Sequence, residues 1–151
     1  MSGRKIFVAI DGSKPSDLAF NWCLDNIHRE GDLIYLVHSA EYKVDIGLSA
    51  FAGNYENVTK EFKEEDERIN TLIGNYIEAC RKRQVQAVAK KLTGMKPGEA
   101  IISAAVEEGA NMIIMGSRGL GKLRRTLMGS VSEFVVTHAP PRCAVTILRD
   151  S

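Results

Sequence analysis

The sequence predicts an α/β fold: a five-stranded doubly wound parallel sheet with helices on both faces. Three observations carry that expectation. Short apolar runs rich in β-branched residues alternate with longer stretches whose apolar residues recur at helical spacing. Glycine, proline or Asp-Gly punctuation falls between them. The strand-like runs are apolar enough to be covered on both faces, which is the habit of parallel sheets. Parallel neighbours need a crossover and crossovers are right-handed, so a regular strand-helix alternation wraps helices over both sides of one sheet.

Lys5 to Ile10 reads as the first strand, ending in Asp11-Gly12, and Ser13 with Pro15 opens a helix carrying Leu18, Ala19, Trp22, Cys23 and Ile27. Beyond Gly31, Leu33 to Val37 is the second strand, and Ala40 to Asn57 a long loop of the kind that often carries function. Val58 to about Arg83 forms an amphipathic helix with Phe62, Ile69, Leu72, Ile73, Tyr76, Ile77 and Cys80 on one face. Its charged run, 60 to 68, is a solvated face with Lys60–Glu64 and Glu64–Arg68 pairs four residues apart. Val85 to Leu92 is the third strand, Met95 to Gly98 a turn, Glu99 to Glu108 a helix closed by Gly109, and Met112 to Met115 the fourth strand. Ser130 to His138 is the last helix, with Val131, Phe134 and Val135 inward. Pro140 and Pro141 stop it, and Cys143 to Leu148 forms the fifth strand.

At 151 residues, 44% hydrophobic and 26% charged, the chain is expected to be one domain, 1–151, with a real core. A formal charge of +1 gives no general attraction to nucleic acid or acidic membranes. No apolar run has membrane-spanning length and MSGRKIFVAI is no signal peptide, so a cytoplasmic protein is expected. Cys23, Cys80 and Cys143 are odd in number and scattered, which argues for reduced thiols over a disulfide framework or metal cluster.

The chemistry concentrates after the fourth strand, in GSRGLGKLRRTLMGSVS, where Gly116, Gly119 and Gly129 fall at the spacing G-x2-G-x9-G-S. Residues without Cβ can take positive φ and bring bare amides to a ligand. Arg118, Lys122, Arg124 and Arg125 add cations, and no acidic residue lies between Glu108 and Glu133. At the far end Ser130 opens a helix whose first amides, on Val131 and Ser132, sit at the positive end of the dipole. Ser130 and Glu133 also spell S-x-x-E, so ordinary capping yields the same letters. The stretch is no P-loop, since Leu123 stands where a magnesium-binding hydroxyl belongs, and no dinucleotide fingerprint, since Arg124 replaces the third glycine. In a doubly wound sheet ligands bind beyond the carboxyl ends of strands where strand order reverses. If the first and fourth strands are neighbours, Asp11 faces the glycine loop across a crevice and can accept from ribose hydroxyls. Its bland alternative is a turn residue bonding its own backbone.

VAIDGS at 8–13 and IIMGSRGLGKLRRTLMGSVSEFVVTHA at 113–139, in this strand order, resemble the universal stress protein family over nearly the whole chain. The resemblance implies a Rossmann-like fold of the adenine nucleotide alpha hydrolase-like type and the nucleotide-binding branch of that family. The implied cofactor is ATP or AMP, with or without Mg2+. Carried over position by position, Ala9, Ile10 and Asp11 meet adenine and ribose, Asp11 being the polar contact. Ser39 falls where family members present backbone to the adenine edge, its side chain of little weight. Met115, Gly116, Arg118 and Gly119 line the ribose and phosphate side, and Gly129, Ser130, Val131 and Ser132 form the triphosphate cradle. The resemblance also implies a homodimer through the last strand, Val145 to Leu148. The lead-in APPRCAV departs from the family pattern, with Ala144 where proline is expected, and puts that edge strand in question. Asn111 replaces an aspartate at what reads as a surface position.

No catalytic residues and no metal ligands are assigned. The residues show no paired carboxylates near the loop and no nucleophile beside a base, while His28, His38 and His138 lack metal-ligand spacing and suit core or helix-end roles. The leading expectation is a nucleotide-dependent regulatory module in the stress response, acting on a protein partner the sequence does not name. The alternatives are a slow ATPase or phosphotransferase using Thr126, Ser130 or Ser132 as acceptor, and a chaperone-like scaffold dimer whose nucleotide is structural.

Overall fold

Strands that are apolar on both faces must be covered on both faces, and the fold does this with two helices on each side of one sheet. The structure, a computed structural model, describes residues 3–39, 55–117 and 129–149. In chain order the elements are β1 (Lys5–Ala9), α1 (Lys14–Asn26), β2 (Leu33–Ser39), α2 (Tyr55–Lys82), β3 (Ala87–Leu92), α3 (Pro97–Glu108), β4 (Met112–Gly116), α4 (Ser130–His138) and β5 (Ala144–Leu148). All strand pairs are parallel and the spatial order is β3-β2-β1-β4-β5. The chain winds outward from β1 to β3, then returns to the other side of β1 for β4 and β5. The first and fourth strands are therefore neighbours, and order reverses between them.

Alternation along each central strand divides the core in two. Ile6, Val8, Ile34, Leu36 and Ile114 pack with Phe20, Cys23, Ile69 and Ile73 under α1 and α2. Phe7, Tyr35, Val37, Ile113 and Met115 pack with Ile101, Ala104 and Val135 under α3 and α4. The edge strands β3 and β5 are more open, and Val88 on β3 is exposed.

Several boundaries differ from the sequence reading. β1 ends at Ala9, although Ile10 still donates to Val37 O at 2.9 Å. β2 runs on to Ser39. Tyr55 to Asn57 is already helix, so the long loop is shorter than expected, and its residues 40–54 lie outside the described residues. β3 starts at Ala87 because Gln84 turns with φ 56 and Val85 N–H caps Cys80 O. α3 includes Pro97 and Gly98, read earlier as a turn, since proline suits the first helical position. Gly109 closes it in the left-handed conformation, φ 70. On α2, Arg68 pairs with Glu65 at 2.6 Å, three residues back, rather than with Glu64. Among the described residues no helix is long and apolar enough to cross a membrane.

The altered lead-in does not cost β5 its place. Pro140, Pro141 and Arg142, the last at φ 68, form a tight turn in which Cys143 N–H bonds Pro140 O at 3.1 Å. Ala144 N–H then donates to Asn111 O at 3.0 Å, a bond that proline in its place has no donor to make. Asn111 is exposed, as expected, but it stitches strands: its Oδ1 accepts from Lys5 N–H at 2.7 Å and its own N–H donates to Lys5 O at 2.8 Å.

Candidate functional site

In a doubly wound sheet the reversal of strand order marks the carboxyl ends of β1 and β4 as the place where a ligand crevice is expected. The register sets Ala9 beside Val37 and Val8 beside Ile114, so one step further along β1 brings Ile10 level with His38, and the β4 register brings it level with Gly116. Ala9, Ile10, Asp11, Ser39, Met115 and Gly116 thus reach one edge of the sheet together. Because α4 is the crossover between parallel β4 and β5, its amino end, with Gly129, Ser130, Val131 and Ser132, returns to the same edge. Arg118 and Gly119 lie outside the described residues, as do Lys122, Arg124, Arg125 and Thr126.

On the β1 lip, Asp11 Oδ1 accepts Ser13 N–H at 2.8 Å, which is the turn role the sequence allowed it. Asp11 N–H is bound by Ser16 Oγ at 3.0 Å. Ser13 caps α1, its hydroxyl accepting Ser16 N–H at 3.3 Å. Gly12 takes φ +80, and a Cβ there would lie 2.8 Å from Leu72 Cδ1 of α2.

On the β4 lip, two expectations about the glycines are corrected. Neither Gly116 nor Gly129 has positive φ; Gly129 sits at φ −61, ψ 158. Gly116 is small because α1 presses on it: a Cβ would stand 2.3 Å from Pro15 O. The capping box is also not formed. Gly129 is the N-cap, without a side-chain cap bond, and Ser130 is already the first helical residue and exposed. Glu133 N–H closes the first turn onto Gly129 O at 2.9 Å. The amides of Ser130, Val131 and Ser132 therefore have no acceptor among the described residues, and they stand at the positive end of α4. Of the inward residues expected on α4, Val135 is buried, while Val131 and Phe134 are partly covered.

On the other side of β1 from β4, the tip of β2 carries two buried polar atoms without a hydrogen-bond partner among the described residues, His38 Nδ1 and Ser39 Oγ. Burial pushes the His38 imidazole below its ordinary range, Arg68 and Lys91 add to the effect, and Asp11 and Glu65 oppose it. The shift favours the neutral imidazole. His138 is remote at the other end of α4, its Nδ1 at 2.9 Å from Phe134 O and its ring stacked on Phe134. Among the described residues no three His, Cys, Asp or Glu side chains are grouped to hold a metal. Cys23 and Cys80 are buried free thiols, pushed by burial up to about 12 and about 11.

The sequence of the Universal stress protein family matches this chain over residues 3–149. The chain belongs to that family. A Staphylococcus haemolyticus protein provisionally assigned as a universal stress protein is 30% identical over 97% of this chain and 84% of its own length. Among solved structures, the protein MJ0577 superposes with a TM-score of 0.75 at 22% identity, covering 100% of this chain and 99% of the other. A universal stress protein family member from Arabidopsis thaliana, solved with AMP bound, superposes with a TM-score of 0.65 at 22% identity, covering 98% and 92%. The superpositions cover the same five-stranded α/β fold. Two residues that shape this crevice were not singled out by sequence reasoning: Ser16, whose only signal was its place in DGSKPS, and Tyr76, which read as one more apolar position on α2.

Proposed function

We propose that this universal stress protein binds an adenine nucleotide, ATP or AMP, in the crevice between β1 and β4 and acts as a nucleotide-dependent regulatory module. The observation that carries the reading is the pairing of an acceptor lip with a donor lip across the switch point. Asp11 offers a carboxylate to ribose hydroxyls, and the start of α4 offers to phosphate amides that have no acceptor among the described residues. His38 Nδ1 and Ser39 Oγ, without a partner among the described residues, fit a ligand with its own donors and acceptors at the β2 tip. The AMP bound by the Arabidopsis relative supports the same ligand class. Arg118 and Gly119 join the phosphate side in this reading, Mg2+ accompanies ATP, and the protein works in the cytoplasm.

Nucleotide released on denaturing purified protein, and titration of the stripped protein with ATP and AMP, test the proposal directly; neither release nor binding ends it. Gly129→Asp is the informative variant. The backbone there suits any residue and aspartate is a good N-cap, so folding is expected to hold or improve by a few tenths of a kcal/mol. Its carboxylate occupies the amides that phosphate would use, and affinity should fall about 10–100-fold.

The same reading includes a homodimer through β5. Ala144 N–H points inward to Asn111, so in the parallel ladder the N–H groups of Val145 and Ile147 point away from β4, toward the side where a second copy would pair. Sedimentation giving the mass of one chain would remove the dimer.

A further inference from the structure

The β1 lip is held from a distance. Ser16 is buried, and its hydroxyl meets three groups: Asp11 N–H at 3.0 Å, Ala9 O at 3.5 Å and Tyr76 Oη at 3.4 Å. Tyr76, on α2, donates its own hydroxyl proton to Asp17 Oδ1 of α1. A tyrosine oxygen whose proton is committed in this way can only accept from Ser16. Ser16 then shares its single proton between Tyr76 Oη and Ala9 O, which can only accept, and keeps a lone pair for Asp11 N–H. The result is a directed chain with one branch: the Asp11 amide donates to Ser16, Ser16 to Tyr76 and to Ala9 O by turns, and Tyr76 to the Asp17 carboxylate. Bonds in such a chain polarise one another, so each strengthens the next.

The ring that anchors this chain is itself fixed. Tyr76 is buried and packs edge-on against Phe20 with centroids 4.9 Å apart. Leu72, one turn earlier on α2, presses on Gly12, whose φ of +80 sets the turn after Asp11. Burial and the Asp17 contact push the Tyr76 hydroxyl up to about 12, which keeps its proton in place across the physiological range. Two consecutive turns of α2 thus bear on the short segment Asp11–Gly12, although α2 contributes no residue to the nucleotide contacts proposed above.

We infer that Tyr76, acting through Ser16, is a positioning residue for ribose recognition: the α2 helix aims Asp11 by holding its backbone amide. The inference rests on the nucleotide reading, and it assigns α2 a place in ligand selection. A carboxylate that is well aimed distinguishes a ribose from a deoxyribose, whereas one free to swing does not.

Tyr76→Phe keeps the ring and its packing on Phe20 and removes the link. The parent is expected to bind ATP about tenfold or more tightly than 3′-deoxy-ATP and 2′-deoxy-ATP, the value of a hydrogen bond to a charged group. In Tyr76→Phe and in Ser16→Ala that preference should shrink to about twofold or less, through weaker ATP binding with the deoxy affinities unchanged. A uniform loss for all three nucleotides, or a preference equal to the parent's, overturns the inference while leaving the nucleotide reading intact. A parent that binds none of them overturns the reading itself, and the inference with it. A ligand-free measurement stands beside this one: the Asp11 amide should shift and exchange faster in Tyr76→Phe than in the parent, and an unchanged amide counts against the chain even if Ser16→Ala fails to fold.

Discussion

Asp32→Ala is expected to lower the unfolding free energy by about 3 kcal/mol, the lower end of what breaking a buried ion pair costs. Asp32 is 4% exposed, at the turn into β2, and its carboxylate gathers four donors: Arg4 N–H at 3.2 Å, Arg4 Nε at 3.1 Å, Arg4 Nη2 at 2.6 Å and Arg29 N–H at 2.9 Å. Arg4 also reaches Ile27 O at 2.8 Å, so one guanidinium ties the start of β1 to the end of α1. The estimate belongs at the lower end because the Arg4 side chain keeps 33% of its exposure and can be rehydrated when the partner goes. Urea unfolding of the two proteins at neutral pH gives the difference, and a loss under 1 kcal/mol would show the pair to be ornamental.

The same carboxylate makes the difference pH-dependent. Burial alone would raise its pKa, but the Arg4 guanidinium and the Arg29 and Arg4 amides outweigh that and hold it below the ordinary carboxylate range. A depressed folded pKa means that the stabilisation is fully present above the unfolded value, about pH 4, and is lost as pH falls through the folded value. Parent and Asp32→Ala should therefore diverge most at neutral pH and converge in acid. A gap that widens on acidification contradicts the assignment.

Gly116→Ala is the second large effect, expected to destabilise by about 3 kcal/mol or more, since over-packing against backbone cannot be relieved by a rotamer change. The added Cβ would lie 2.3 Å from Pro15 O and 2.5 Å from Pro15 C, and either α1 or the end of β4 must move. Both border the crevice, so nucleotide affinity should fall along with stability. Gly74→Ala is the matched control. Gly74 is exposed on α2, a Cβ there meets nothing within 4 Å, and alanine should stabilise the helix by about 0.5–1 kcal/mol. If the two substitutions behave alike, the contact with Pro15 is not what requires glycine at 116.

These two glycines show how far letters carry. Gly116 stood out because it opens a phosphate-binding spacing, yet its described surroundings require a small residue for the sake of a helix on the other side. Ser130 reads as a phosphate-cradle residue or as the cap of a capping box, and the backbone removes the cap: Gly129 takes the extended cap conformation, so the serine moves into the helix. Ser39 had been carried over for its backbone alone, whereas its hydroxyl is buried without a partner among the described residues. Arg68 chose Glu65 over Glu64 because both lie within reach on a helix and only the packed side chains select between them.

What the sequence by itself determined was the alternation of strands and helices, the buried faces, and the two strand ends where chemistry gathers. Those follow from periodicity and turn chemistry, which are properties of neighbouring residues. Only the tertiary structure decided that β1 lies between β2 and β4, that Asn111 laces three strands, and that Tyr76 reaches Ser16 across 60 residues of chain. Such contacts depend on which distant surfaces can close-pack together, and no local pattern carries that information.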